Sequence, residues 1–187
     1  MADKNHFELM VVGLGGQGAL FIGRLLAQAA MPMYEHVSYF PNYGAAMRLG
    51  DSECTVILSP EPISSPVVLN PEAAIIMGPA PLAKFEKRMS PGAAVILDSS
   101  VATSEIERKD INVFYIPASK AAGELGSRQV TNLVLLGAYV EVSKAVPLER
   151  VEAELEKVFA GERREAMLAL NKAALREGAK LIANYGN

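Results

Sequence analysis

The sequence holds one cysteine, Cys54, and two histidines, His6 and His36, among 187 residues. A single thiol excludes an internal disulfide. It also excludes a cysteine-ligated iron–sulfur cluster within this chain, because such clusters usually need about four thiolates. Two histidines so far apart do not suit an ordinary His/Cys zinc site. They also lack any neighbouring Ser, Cys or carboxylate pattern of a triad. No catalytic residue and no metal ligand is therefore assigned. No apolar run approaches the roughly 20 residues of a membrane span. Met1 to Phe7 is polar, without the apolar core of a signal peptide, so the chain reads as cytoplasmic. Charge of one sign is scarce too. Eighteen Lys and Arg stand against 21 Asp and Glu, a net charge of -3, with a pI of about 5.5. No basic stripe stands out, so nucleic-acid binding has no electrostatic footprint.

Apolar residues are plentiful. They make up 50% of the chain, and mean hydropathy is +0.18. That suits one compact domain with a real core. The excess apolar surface goes either into a fully covered sheet or into a partner.

Hydrophobic runs predict strands over 7–12, 36–39, 53–58, 73–77, 94–97 and 112–116. Helices are predicted over 19–30, about 80–88, from 119 onward, over 131–145, near 148–159 and over about 163–183. The segment 40–52 holds no long helix. A parallel crossover needs about a dozen residues with a helix among them, so the second and third strands are expected to run antiparallel. The expected fold is α/β: a three-layer α/β/α arrangement with a mixed, mainly parallel sheet of about six strands and a helical C-terminal part. One domain spans 1–187, with the sheet in 1–117 and a mainly helical region in 118–187. Helices 19–30 and 131–145 are apolar nearly all round, and partner chains are expected to cover them.

Gly13-Leu-Gly15-Gly16-Gln17-Gly18 matches G-x-G-x-x-G, follows a strand and opens a helix, which is the context this pattern needs. Glycines admit backbone angles closed to other residues and let a ligand come close. The helix N-terminus adds free N–H groups and partial positive charge, a cradle for phosphate. The alternative is that the glycines only permit a tight turn. NAD or FAD in the usual mode needs an acidic residue at the end of the second strand. That strand ends Ser38-Tyr39-Phe40-Pro41, so another phosphorylated ligand is favoured.

These residues resemble a known family. Gly13-Leu-Gly-Gly-Gln-Gly18 is similar to the opening of gamma subunits of 2-oxoacid:ferredoxin oxidoreductases. Tyr43-Gly44-Ala-Ala-Met-Arg48 is similar to the tyrosine–glycine–arginine loop that follows the second strand there, although Ala45 and Ala46 stand where proline and glutamate are frequent. Ser59 to Pro66, Asp98-Ser-Ser100 and Val130-Thr-Asn132 with Leu136-Gly137 resemble later segments in the same order. The resemblance implies a subunit of an assembly that decarboxylates a 2-oxoacid oxidatively, forms an acyl-CoA and reduces ferredoxin. It points to 2-oxoglutarate first, then pyruvate or branched-chain 2-oxoacids. Thiamine diphosphate, Mg²⁺ and iron–sulfur clusters would sit on partner alpha and beta subunits, with a delta subunit in some assemblies. Ferredoxin would be reached through the complex, and coenzyme A would dock on this chain. The isolated chain would be inactive, and its apolar surface leaves a homodimer open.

The implied binding residues are Gly13, Gly15, Gly16, Gln17, Gly18, Tyr43, Arg48 and Asn132. Arg48 could pair with a phosphate or substrate carboxylate, or with an acid of a partner. Tyr43 could stack on adenine or pack beneath its loop. Gln17 could donate to a phosphate or tie the loop to its neighbour. Asn132 reads as a cap or near-cap of its helix, and Asp98 to Ser100 as a capped turn. Cys54 reads as an inert core thiol. Two further readings stay open beside the subunit: a stand-alone Rossmann-like nucleotide- or phosphometabolite-binding module, and a scaffold whose loop holds no ligand.

Overall fold

The computed structural model describes residues 5–42, 51–78, 85–100, 106–160 and 164–185. Tyr43 and Arg48 lie outside them, as does most of the helix expected over 80–88. Six strands form one sheet: β1 (Phe7–Leu14), β2 (His36–Asn42), β3 (Asp51–Ser59), β4 (Ala73–Ile76), β5 (Ala94–Asp98) and β6 (Asn112–Ile116). Their order is β2-β3-β1-β4-β5-β6. Strand β3 runs antiparallel to both β1 and β2, while β1, β4, β5 and β6 are mutually parallel. The antiparallel pairing expected of β2 and β3 is therefore present, and it makes the sheet mixed. In detail β3 wedges between β2 and β1, with Val11 opposite Cys54 and Ser38 opposite Ile57.

The helices are α1 (Ala19–Ala30), α2 (Ala118–Glu124), α3 (Thr131–Ser143), α4 (Leu148–Val158) and α5 (Glu165–Ala183), with a short 3-10 turn over Arg128–Val130 before α3. Among the described residues these five helices lie on one side of the sheet and share a core with Leu9, Val11, Cys54, Val56, Ile75 and Ile96, with α1 and α3 resting on the strands and the others packed on them. The other face, with Met10, Val12, Ala74, Ile76, Val95 and Leu97, is covered among the described residues by Phe85, Met89, Ile106 and Ile111. Arg88 fastens this thinner cover with a two-pronged pair to Glu53 of β3, at 3.2 and 3.0 Å. A fork of this kind adds geometric specificity to charge.

The apolar helices do not wait for a partner, contrary to the sequence expectation. Nine consecutive residues of α3, Asn132 to Val140, are buried within the chain. Eight of the twelve residues of α1 are buried as well. The reason is that α3 lies between the sheet and α5. Where α3 and α5 cross, a Cβ built on Gly137 would come 1.9 Å from the Leu175 carbonyl oxygen, and one on Gly178 would come 1.8 Å from that of Val134. Only two glycines allow backbones to meet this closely. The outer helices are also laced by ion pairs, Arg176 to Glu152 at 2.8 Å through Oε2 and Lys172 to Glu156.

Cys54 sits in β3 with no exposure, and its thiol lies 3.6 Å from the Ala19 carbonyl oxygen. Burial, helped by the neighbouring Glu53 charge, pushes its pKa up to about 12. The thiolate is the reactive form. The native protein is therefore expected to leave a disulfide reagent such as dithionitrobenzoate unreacted at neutral pH, and to release one thiol per chain after unfolding in guanidinium. Prompt reaction of the folded protein would contradict this core placement.

Candidate functional site

Strand β1 leaves toward the β3 and β2 side of the sheet, while β4, β5 and β6 build out on the other side. The C-terminal ends of β1 and β4 therefore flank a topological switch point, where α/β sheets bind ligands. The glycine bend stands at this point. Gly16 has φ 88° and Gly18 φ 83°, both left-handed. Gly18 is the N-cap of α1, which has no side-chain cap and no acidic residue in its first turn. The positive end of α1 thus faces the switch point without a carboxylate in its own first turn. Gly13 is needed for another reason. A Cβ there would come 2.9 Å from both Gln17 Oε1 and Met77 Cε.

Gln17 braces the bend. Its Oε1 accepts from the Leu14 N–H at 2.7 Å, and its Nε2 donates to the Met77 carbonyl at 3.3 Å. The side chain therefore stitches the end of β1 to the end of β4. Of the two readings of Gln17, the structure displays the tie. Asn132 stands at the second position of α3 and its Oδ1 accepts from the Leu133 N–H at 2.9 Å. Its Nδ2 lies 2.3 Å from where a Cβ on Gly18 would be.

A cavity of about 510 Å³ opens beside the bend, lined by Gly16, Gln17, Met77, Ser119, Arg128, Gln129, Thr131 and Asn132. Its edges are set by buried chemistry. Asp98, at the end of β5, is fully buried and accepts from the Ser100 N–H at 3.1 Å, the Ser119 N–H at 3.3 Å and the Ser119 hydroxyl. The turn expected at Asp98 to Ser100 is there, and the carboxylate also caps α2. One helix N-terminus is thereby neutralised from within and the other, that of α1, is left open. Arg128 adds the cation. Among the described residues its guanidinium makes no ion pair or hydrogen bond, and it runs past Gly123 at 3.9 Å from a Cβ built there. Among the described residues no three His, Cys, Asp or Glu side chains converge as metal ligands would.

Of the residues read from the sequence, Gly16, Gln17 and Asn132 meet at this cavity. Gly15 is exposed at the bend, Gly13 is buried beneath it and Gly18 abuts Asn132. Arg128 and Ser119 were not singled out. No motif marks them, and they reach the glycine bend only because β5 and β6 carry the chain back beside it.

Residues 8–181 match the family described as pyruvate ferredoxin/flavodoxin oxidoreductase. This chain belongs to that family. Among the members of the pyruvate ferredoxin/flavodoxin oxidoreductase family, 2-oxoglutarate synthase subunit KorC of Methanocaldococcus jannaschii is 30% identical over 174 residues, 90% of this chain and 92% of KorC. Ketoisovalerate oxidoreductase subunit VorA of Methanothermobacter thermautotrophicus is also 30% identical over 174 residues, 92% of this chain but 36% of VorA. The chain thus spans KorC almost end to end and about a third of the length of VorA. The fold recurs in the solved 2-oxoglutarate:ferredoxin oxidoreductase of Magnetococcus marinus, with a TM-score of 0.85 at 23% identity over 97% of this chain and 32% of that one, and in the solved keto/oxoacid ferredoxin oxidoreductase gamma subunit of Geobacter sulfurreducens, with a TM-score of 0.81 at 24% identity over 95% of this chain and 97% of that one. Among the described residues no helix is long and apolar enough to cross a membrane.

Proposed function

We propose that this chain is the gamma subunit of a cytoplasmic 2-oxoacid:ferredoxin oxidoreductase, and that the cavity at its glycine bend receives a phosphate of coenzyme A. The observation that carries the site reading is the cavity itself. The N-terminus of α1 without a side-chain cap, Ser119, Thr131 and an Arg128 guanidinium that is unpaired among the described residues stand around one space. Guanidinium and helix N–H groups are the usual partners of a phosphate. Strand β2 itself ends Phe40-Pro41-Asn42, without the terminal carboxylate that holds the ribose of NAD in the usual mode. The stand-alone dinucleotide module therefore draws no support.

The chain's poverty in ligands fits the division of labour that the family resemblance implies. One buried thiol cannot hold a cluster. Thiamine diphosphate, Mg²⁺ and the iron–sulfur clusters belong on alpha and beta partners, with a delta chain where the assembly has one, and ferredoxin docks on that assembly. KorC is named for 2-oxoglutarate and VorA for ketoisovalerate. We place 2-oxoglutarate first, on the likeness of the Tyr43–Arg48 loop, with pyruvate and branched-chain acids behind it.

The test is affinity capture from the native cell. Thiamine- and cluster-binding chains should co-purify, and the captured assembly should reduce ferredoxin with a 2-oxoacid only when coenzyme A is present. The chain alone, supplied with thiamine diphosphate, should give no turnover. Robust turnover by the pure chain refutes the assignment.

A further inference from the structure

The outer strands of the sheet are β2 and β6. An outer strand presents N–H and C=O groups that can template pairing with another chain. Strand β2 carries Pro41, which has no N–H to give to a ladder. Strand β6, Asn112-Val-Phe-Tyr-Ile116, holds no proline, glycine or charge. Four of its five residues are β-branched or aromatic, so its composition favours strand addition and offers no obstacle to it.

The groups that β6 turns outward can be identified. The Asn112 N–H donates to the Ala93 carbonyl at 2.8 Å, and the Ile116 carbonyl accepts from the Ser99 N–H at 2.9 Å. Residues 112, 114 and 116 therefore direct their backbone groups toward β5. Backbone direction alternates along a strand, so Val113 and Tyr115 direct theirs away from the sheet. Among the described residues no strand lies on that side, but Tyr185 does. Its hydroxyl accepts from the Tyr115 N–H at 3.1 Å and donates to the Val113 carbonyl at a longer 3.5 Å. In a parallel ladder, a single residue of the next strand takes up this same pair of groups. One side-chain oxygen thus stands in for a seventh strand.

Tyr185 is also held where it can do this. It lies two residues beyond α5, and its own N–H donates to the Ile182 carbonyl at 2.9 Å. Its ring meets that of Phe114 at 5.4 Å, inclined by 60°. A phenylalanine would keep that ring contact. Among the described residues the hydroxyl serves only the strand edge.

We propose that Tyr185 is an edge guard, an autoinhibitory contact whose hydroxyl fills the outward ladder groups of β6 and keeps β6 of a second copy from extending the sheet. A second copy fits the opened edge because β6 carries no charge, so antiparallel pairing with itself sets no like charges opposite each other. Such pairing is two-fold, the commonest symmetry of soluble oligomers.

The test uses the full chain and two readouts, amide exchange by NMR and mass by light scattering after size exclusion. Tyr185→Phe keeps the ring and drops the hydroxyl. The Tyr115 amide should then exchange about tenfold faster than in the wild type, as loss of one hydrogen bond predicts, while the amides of β1 and β4 keep their rates. Tyr185→Ala opens the edge, and its mass should rise with concentration to about twice the wild-type value or more, as pairing of copies requires. Adding Val113→Pro removes an outward N–H without cutting the bonds to β5, and adding Val113→Lys sets like charges at the edge. Either should return the mass to the wild-type value. An unchanged Tyr115 rate in Tyr185→Phe overturns the guard. So does a Tyr185→Ala mass equal to that of the wild type, and so does association that survives both changes at Val113.

Discussion

Gly137→Ala is expected to destabilise the protein by about 3 kcal/mol or more, lowering Tm by about 6–12 °C for a chain of this size. The new methyl would come 1.9 Å from the Leu175 carbonyl oxygen and 2.8 Å from its carbon. Neither atom belongs to a side chain, so no rotamer change relieves the overlap. The helices α3 and α5 must separate. Separation loosens the packing along the crossing, including Val134, Leu175 and Ala138, which are fully buried. Gly178→Ala attacks the same crossing from the other side, at 1.8 Å from the Val134 carbonyl oxygen. The double variant should therefore cost less than the sum of the two singles, because the first has already moved the helices apart. Urea denaturation of the four proteins measures this. Strict additivity, or a single variant within about 0.5 kcal/mol of wild type, would contradict the contact.

Gly18→Ala should be the most damaging single change at the candidate site. Two effects combine there. An alanine at φ 83° carries the cost of the left-handed region, about 1–2 kcal/mol. Its Cβ would also come 2.3 Å from Asn132 Nδ2, so Asn132 must leave its place on the wall of the glycine-bend cavity. Gly16→Ala separates these effects. Gly16 has φ 88°, but a Cβ there meets nothing within 4 Å, so only the backbone cost remains. Gly18→Ala should then be less stable than Gly16→Ala by at least about 1 kcal/mol, in line with overpacking. If coenzyme A binds as proposed, the same change should weaken its binding by about tenfold or more, since Asn132 lines the glycine-bend cavity. Equal stability of the two variants would show that Asn132 yields freely.

Much of the sheet is legible in the sequence because strands announce themselves locally. The runs around Leu9, Val56, Ile75 and Ile96 are apolar and bounded by turns, and each is a strand in the fold. The direction of β3 could also be read, because the stretch before it carries breakers and no long helical pattern for a crossover. Its place between β2 and β1 could not, since that depends on which strand edge it meets. The apolar character of α3 was plain, but its cause was not. Surface waiting for a partner and surface covered by α5 have the same composition. Only the pairing of Gly137 with Gly178, 41 positions apart in sequence, tells them apart, and neither glycine signals the other.

The site divides in the same way. The glycine bend carries its chemistry in consecutive residues, so its conformation follows from Gly13 to Gly18 alone. The function of Gln17 was undecided until Met77 came beside it. Arg128 and Ser119 have no local signature, because their relevance arises from the return of the chain through β5, β6 and α2. The burial of Asn171, on the outer helix α5, emerges only when α5 packs onto α3.

That α5 roofs α3 also sets a timetable for biosynthesis. The roof is the last stretch of this sequence to be made, whereas the greasiest helix beneath it is complete some twenty residues earlier. During translation α3 is thus finished while its outer side is still bare. The nascent chain passes through an interval in which the outer side of its stickiest segment has no cover of its own, which is when chaperones and misassembly compete for exposed apolar surface.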